Sequence, residues 1–223
     1  MVTAALRLLD EAGLDGLTLR RLAQELGVQA PALYWHFKNK RELLDYVAEA
    51  IGDEVRLAAR PDPDQPWDTW LTEGMRLHRR ALLSHRDGAR VVAGNRPTEK
   101  VLPVVEDLLR RLCAEGFTAG YAMASVLALG AYVGGFVLEE QAEQRRYGEP
   151  GVRERDEERF GAVDWSAYPT MYAAFGEMNG PPGSDRAFDY GLQLVIDGMW
   201  AHLARTTGRA GSPSTQVEAG ERA

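Results

Sequence analysis

Apolar residues recur every three or four positions along most of the chain, which is the spacing of helices that bury one face. The first stripe predicts a helix over residues 1–12 that ends at Gly13. A second helix is expected to begin after Thr18, whose hydroxyl can cap it, and to end at Gly27. Followed along the chain, this pattern predicts an all-α fold.

The residues after the glycine turn predict a third helix that presents its polar side outward. It is expected to start near Gln29, with Pro31 in the first turn, where a missing N–H loses no hydrogen bond. Val28 is predicted to return to the core, and Leu33 and Phe37 are predicted to anchor the helix. Three helices with the third presented outward form a helix-turn-helix unit, which can enter the DNA major groove.

Positive charge is concentrated in this unit. Residues 18–41 contain five basic residues and one acidic residue, Glu25, although the whole chain has a net charge of -7. A local basic surface suits contact with the DNA backbone, and the acidic remainder excludes a generally basic protein. The alternative is a three-helix packing module whose basic rim only faces solvent.

The pattern beyond this unit predicts a larger helical domain. A helix from Lys40 to about Ala59 leaves the helix-turn-helix unit, and the proline-rich residues 60–66 form a loop. Further helices are predicted over 67–83, 89–93, 97–115, 122–138 and 184–205, with a mobile loop at 144–161.

These elements divide the chain into three parts. Residues 1–44 form the helix-turn-helix DNA-binding domain, and residues 45–206 form a larger helical effector-binding and dimerisation domain. Residues 207–223, rich in Gly, Ser, Thr and charge, are expected to be a disordered tail.

The longest uncharged run, residues 122–138, raises the alternative of a membrane span. It is short for one, and its small residues favour close helix packing. A helix that is apolar all round must be buried on all sides. Together with 184–205 it is predicted to form a four-helix interface, including Gly134 and Leu192, between two copies of the chain. We therefore expect a homodimer and no membrane segment.

Composition narrows the location and the class of function. The single cysteine, Cys113, rules out an internal disulfide framework, and the N-terminus lacks a signal-like apolar region, so a cytoplasmic protein is expected. The sequence contains no Gly-rich phosphate loop, nucleophile elbow or metal-spaced histidine pair, so we do not expect an enzyme.

Several segments resemble a known family. Residues 17–28 and 31–44 resemble the DNA-binding domain of the tetracycline repressor family. Residues 81–90 with Gly94 and 96–100, together with 137–141, resemble the regulatory core of its tetracycline-binding members. The resemblance implies a repressor that binds double-stranded palindromic operator DNA as a homodimer and is released by a small-molecule effector. It also implies control of an efflux or antibiotic-related gene. The alternative is a helical DNA-binding regulator without small-molecule induction.

The resemblance also implies which residues contact DNA. Arg20 and the start of the third helix would contact bases, whereas Tyr34, His36 and Lys40 would mainly position phosphates. The full set is Arg20, Gln29, Ala30, Pro31, Ala32, Tyr34, Trp35, His36 and Lys40. Because Ala30 and Ala32 replace a glutamine and a threonine of the tetracycline-binding members, a different operator sequence is expected.

The effector cavity implied by the family combines apolar walls with a few polar groups, as small-molecule sites do. Its expected lining is Arg56, Trp70, Gly74, His78, Val92, Asn95, Arg96, Pro97, Leu108, Ala131, Gly135 and Glu139. Glu139 ends an apolar run, so it is expected to need a partner of some kind.

Most of the residues that hold a magnesium-chelated drug in the tetracycline-binding members are changed here. Val92 and Ala131 stand where those members have histidines, and Asn95 stands where they have a threonine. Valine and alanine offer no lone pair to a cation. We therefore expect no metal and no cofactor, and a bulky aromatic or polyketide-like effector.

Overall fold

The computed structural model describes residues 1–58, 62, 64–95, 98–177 and 183–208. Within these ranges the chain forms eleven α-helices and one short 3-10 helix, and none of the described residues lies in a β-strand. The predicted all-α fold is confirmed.

The N-terminal part contains α1 (Val2–Gly16), α2 (Leu19–Glu25) and α3 (Ala30–Leu33). Thr18 caps α2 as predicted, because its hydroxyl accepts a hydrogen bond from the Arg21 N–H at 3.2 Å. After α2, Gly27 adopts a φ of 65°, and its N–H donates to the Gln24 carbonyl at 3.1 Å. This left-handed residue ends α2 in the way that glycine allows at least cost.

Three details of this unit differ from the sequence expectation. Helix α1 bends at Gly13 (φ 71°) and runs on to Gly16 rather than ending at residue 12. Helix α3 is only four residues long. The prediction that Val28 returns to the core is wrong, since its side chain is 43% exposed. The short α3 is instead held by Leu33 and Phe37, which are both buried as predicted.

The larger part is built around two central helices. Its helices are α4 (Lys40–Ala58), α5 (Trp67–Leu83), α6 (Gly88–Val92), α7 (Leu102–Ala114), α8 (Ala119–Tyr147), α9 (Val152–Gly161), α10 (Pro169–Glu177) and α11 (Asp185–Thr207), with a 3-10 helix at Trp165–Ala167. Helix α5 packs against α4, α6, α8 and α11, and α8 also packs against α6 and α7. Helix α4 belongs to both parts, because it also packs against α1.

Several predicted boundaries need correction. The mobile loop expected at 144–161 is wrong, because α8 continues to Tyr147 and α9 follows after a short turn. The dense charge of this region lies on helix surfaces, where Arg146 pairs with Asp156 at 2.8 Å. Helix α7 begins at Leu102, later than the predicted start at residue 97. The predicted tail overlaps the end of α11 at Thr207, and its residues 209–223 lie outside the described part of the chain.

Helix α8 buries only one stripe of its surface within the chain. It is the single helix among the described residues that is long and apolar enough to cross a membrane. Its contacts with α5, α6, α7, α9 and α11 make it a core helix instead. Large apolar side chains remain exposed on the other side of α8 and on α11: Met123, Leu127, Leu138, Tyr190 and Leu194.

The predicted interface position Leu192 is wrong, since this side chain is 1% exposed inside the core of its own chain. Leu194, two residues later, is 57% exposed and belongs to the uncovered apolar face.

Candidate DNA interface and effector pocket

The predicted DNA-contacting residues lie on and around α3, and most of them are exposed. The exposed members are Arg20, Gln29, Pro31, Ala32, Tyr34, Trp35 and His36, whereas Ala30 and Lys40 are half-buried. Trp35 is 90% exposed, which leaves a large apolar ring in water. An apolar ring beside hydrogen-bonding groups is suited to contact with a partner surface.

Lys40 has a partner within the chain. Its Nζ donates a hydrogen bond to the Leu14 carbonyl at 2.7 Å, so the start of α4 is tied to the end of α1. The contact of this ammonium group with phosphate stays a prediction.

A cavity of about 630 Å³ opens beside α8. Its lining consists of Ala131, Tyr132, Gly135, Phe136, Glu139, Glu140, Glu143 and Gly183. This volume is in the range of small-molecule sites, roughly 300–1,000 Å³. Three predicted effector residues, Ala131, Gly135 and Glu139, therefore share one cavity.

The remaining predicted effector residues do not line this cavity. Trp70, Gly74 and His78 are half-buried on one face of α5, where burial lowers the pKa of His78. Val92, Asn95 and Leu108 are half-buried on α6, just after it, and on α7. Arg96, Pro97 and the side chain of Arg56 lie outside the described part of the chain.

The carboxylate with the buried partner is Glu140, and not Glu139. Glu139 is exposed and has no hydrogen bond or ion pair to any described residue, so its expected partner is not found there. Glu140 is buried and forms two bonds with Arg79 of α5, at 2.6 and 2.9 Å. Arg79 also donates to Asp185 at the start of α11, at 2.6 Å. This ion network fixes α5, α8 and α11 together beneath the cavity.

A second polar network was missed by the sequence reasoning. We call residues 85–90, which comprise the turn after α5 and the first residues of α6, the joint. Asp87 in the joint is buried, and its carboxylate accepts from the Leu14 N–H at 2.9 Å and from Arg145 at 2.7 Å. One carboxylate thus contacts the DNA-binding unit and the helix that carries the cavity.

The surrounding residues stabilise the ionised form of Asp87. Burial opposes its ionisation, but the hydrogen bond from the Leu14 N–H and the contacts with Arg90 and Arg145 outweigh burial and hold its pKa below the usual value. The group is therefore ionised at neutral pH. The only available signal in the sequence was the Asp87-Gly88 dipeptide, which marks a turn and not its partners.

Other contacts of the joint repeat this bridging pattern. His85 places Nδ1 3.1 Å from Asp10 of α1 and Nε2 3.2 Å from Glu54 of α4. Gln141 of α8 donates to the His85 carbonyl at 2.8 Å and accepts from the Ala89 N–H at 3.3 Å. The polar contacts of the joint consequently connect α8, which lines the cavity, to the DNA-binding unit. Helix α4 is a second connection between the two parts of the chain.

Comparison with known proteins identifies the family of this arrangement. Residues 2–47 match the family "Bacterial regulatory proteins, tetR family", and residues 60–203 match the family "Tetracyclin repressor-like, C-terminal domain". The chain belongs to the TetR family.

Individual TetR-family relatives extend over most of the chain. Tetracycline repressor protein class A from transposon 1721 of Escherichia coli is 42% identical over 199 residues, which cover 89% of this chain and 88% of that protein. The crystal structure of a possible TetR family transcriptional regulator from Streptomyces coelicolor A3(2) has a TM-score of 0.74 at 38% identity, covering 90% of this chain and 97% of that chain. TetR (class A) in complex with 5a,6-anhydrotetracycline and magnesium has a TM-score of 0.66 at 39% identity, covering 92% of this chain and 96% of that chain.

Membership of the TetR family settles the class of function. The chain is a ligand-responsive, DNA-binding transcriptional repressor of a family whose members bind operator DNA as dimers. It is not an enzyme, as the sequence predicted. The family also accounts for the apolar face of α8 and α11 that one chain leaves exposed.

The residues present do not fit the magnesium chelate that one TetR structure contains. Val92 and Ala131 have no donor atom for a cation, and Glu139 is the one carboxylate among the predicted effector residues. Magnesium demands near-octahedral oxygen ligands. No group of three or more His, Cys, Asp or Glu side chains in the described ranges is arranged to hold a metal ion.

Proposed function

We propose that this repressor acts in the cytoplasm, binds a palindromic operator through residues 20–40 and is released when an organic effector fills the cavity beside α8. No magnesium ion is required for release. The observation that supports this most directly is the position of the joint, which contacts α1 through Asp87 and His85 and contacts α8 through Gln141 and Arg145. The family relatives with bound drugs support control of an efflux or antibiotic-related gene.

Release follows from the geometry that a dimer must keep. Two DNA-binding units must lie about 34 Å apart to reach successive major grooves. A ligand that repacks α8 shifts the joint and α4, which both contact α1, so the two units move apart or rotate. A ligand can cause this movement only if its affinity differs between the conformation that binds DNA and the conformation that does not. A coupling free energy of about 3 kcal/mol lowers DNA affinity by roughly 100-fold.

Operator titration tests this proposal. Purified protein is titrated with a palindromic duplex taken from the DNA next to its own gene and with a random duplex of the same length, at physiological ionic strength. We expect specific binding and release by an organic compound. Equal affinity for both duplexes contradicts the proposal, and specific binding that no compound relieves supports the regulator without induction.

We expect Lys40→Ala to weaken binding to every duplex and to reduce the slope of log affinity against log salt by roughly one unit, because one phosphate contact is lost. Lys100→Ala, which removes an exposed lysine outside the DNA-binding unit, is the matched control. If Lys40 only holds the Leu14 carbonyl, the melting temperature will fall while the salt slope stays unchanged.

Removal of magnesium provides a separate test of the effector site. We expect the effector to release the operator equally well in EDTA and in excess magnesium, since Val92 and Ala131 cannot bind the ion. Tetracycline serves as the comparison ligand. Release by tetracycline in magnesium, with none in EDTA, would show that the metal-free proposal is wrong.

A further inference from the structure

The cavity beside α8 carries negative charge that no described residue of its lining balances. Three glutamates, Glu139, Glu140 and Glu143, line it, and the described lining contains no basic residue. Glu140 is paired with Arg79. Glu139 and Glu143 are exposed and form no ion pair or hydrogen bond with any described residue. Within one chain, two carboxylates of the cavity therefore have no partner among the described residues.

Arg79 is not available to neutralise these two carboxylates. Its guanidinium is bound to both Glu140 oxygens and to Asp185, and these hydrogen bonds and charges hold its pKa above the usual range. The same group lies 4.7 Å from the centre of the Phe188 ring and 5.5 Å from the centre of the Phe136 ring, so one face of Phe136 already has a cation beside it. The nearby Arg76 is also occupied, by Asp189 at 2.8 Å.

Aromatic rings line the same cavity. The ring centres of Tyr132 and Phe136 are 5.9 Å apart, and the Tyr132 hydroxyl donates to the Phe188 carbonyl at 2.7 Å, which fixes its ring. Aromatic faces attract organic cations through their quadrupole, most strongly where water is excluded. The rings and the free carboxylates thus favour the same kind of ligand.

Small residues leave room for a bulky molecule. A Cβ atom at Gly135 would have no neighbour within 4 Å. A Cβ atom at Gly183 would lie 3.4 Å from Glu143 Oε2, which places this carboxylate beside the chain that enters α11. The cavity therefore has apolar space along α8 and negative charge close to the start of α11.

We propose that the effector is an aromatic organic cation whose rings lie on Tyr132 and Phe136 and whose charge is balanced by Glu139 and Glu143. This inference rests on the proposed function, because it takes the cavity as the effector site. It adds a positive charge to the bulky aromatic effector expected from the sequence.

A pair of probes with the same shape and opposite charge tests the inference. Equilibrium dialysis measures the affinity of the DNA-free, full-length protein for tetraphenylphosphonium and for tetraphenylborate. We expect the cation to bind at least about tenfold more tightly. The double variant Glu139→Gln with Glu143→Gln should weaken cation binding by about tenfold or more, because each removed charge also removes a favourable contact.

Two further variants separate this effect from changes in folding. Glu154→Gln with Glu157→Gln removes two exposed charges from α9 and should leave cation affinity unchanged. Gly135→Leu should fill the cavity and abolish cation binding without lowering the melting temperature, because the new side chain enters open space and leucine forms helix better than glycine does. Equal affinity for both probes, or a double glutamine variant that binds the cation as tightly as the wild type, overturns the inference.

Operator titration with the same protein distinguishes the two proposals. If neutral or anionic aromatics release the operator and the glutamine pair has no effect on release, the cation inference fails while the repressor stands. If the protein shows no preference for the operator, the proposed function fails, whereas cation binding by the DNA-free protein still supports the inferred ligand class.

Discussion

Aspartate in place of both Leu127 and Leu194 will convert the protein into a folded monomer with at least about 100-fold weaker operator binding. Both side chains belong to the apolar face of α8 and α11 that a single chain leaves exposed. Charge on this face must be buried without a partner when a dimer forms, at a cost of several kcal/mol. A monomer binds one half-site, so the gain from linked binding, roughly 100-fold or more, is lost. Light scattering that gives the monomer mass of 24.7 kDa, together with operator titration, checks the result.

Two control variants test whether the loss of the dimer is specific to the exposed face of α8 and α11. Leu192→Asp places the same charge two residues earlier, inside the core of one chain, and should abolish folding instead of dimerisation, because the cost approaches the whole stability of a domain. Phe160→Asp on α9 changes a side chain with the same 57% exposure as Leu194 and should leave the dimer intact. A double variant that remains dimeric contradicts the assignment of this face.

Replacing Asp87 by alanine will lower the free energy of unfolding by about 3 kcal/mol and weaken operator binding by about tenfold. The substitution removes the acceptor of the Leu14 N–H and the shared partner of Arg90 and Arg145. Breaking a buried charge network by removing one partner typically costs about 3–5 kcal/mol. Operator binding weakens because α1 loses its link to the joint. Chemical denaturation and operator titration measure the two effects.

Two variants on α8 separate the effect of the Asp87 network on coupling between α8 and α1 from its effect on stability. Arg145→Met removes only the α8 side of the network, whereas Arg146→Met breaks the neighbouring pair with Asp156, outside the joint. Both residues are exposed, so each substitution should change stability little. We expect Arg145→Met alone to increase hydrogen exchange of the Leu14 amide. Unchanged exchange in this variant, or an equal increase in Arg146→Met, would show that α8 does not act on α1 through Asp87.

The lowered pKa of Asp87 determines how its contribution to stability depends on pH. A carboxylate whose pKa is lower in the folded state contributes stability above its unfolded pKa, near 3.9, and loses that contribution as the pH falls through the folded value. The contacts that Asp87 makes are consequently intact throughout the neutral range. Variation of pH within that range is not a switch for this network.

The sequence alone determined the DNA-binding unit because its signals are local. The Thr18 cap, the apolar stripe of α2 and the left-handed turn at Gly27 depend on residues within a few positions of one another. Helical spacing also identified most of α4, α5, α8 and α11. The error over residues 144–161 arose because charge and glycine suggested a loop where two helices carry their charges on the surface.

Only the tertiary structure decided which of two nearby side chains on a helix faces the core, and which residues it contacts there. Glu139 and Glu140 are adjacent, and their sequence context is nearly the same. A helix turns about 100° between successive residues, so only the position of α5 selects Glu140 for Arg79, 61 residues away. Leu192 and Leu194 are separated in the same way by the packing of α11. Asp87 meets Leu14 across 73 residues and Arg145 across 58, and such partners depend on the packing of distant helices, which helical periodicity does not encode.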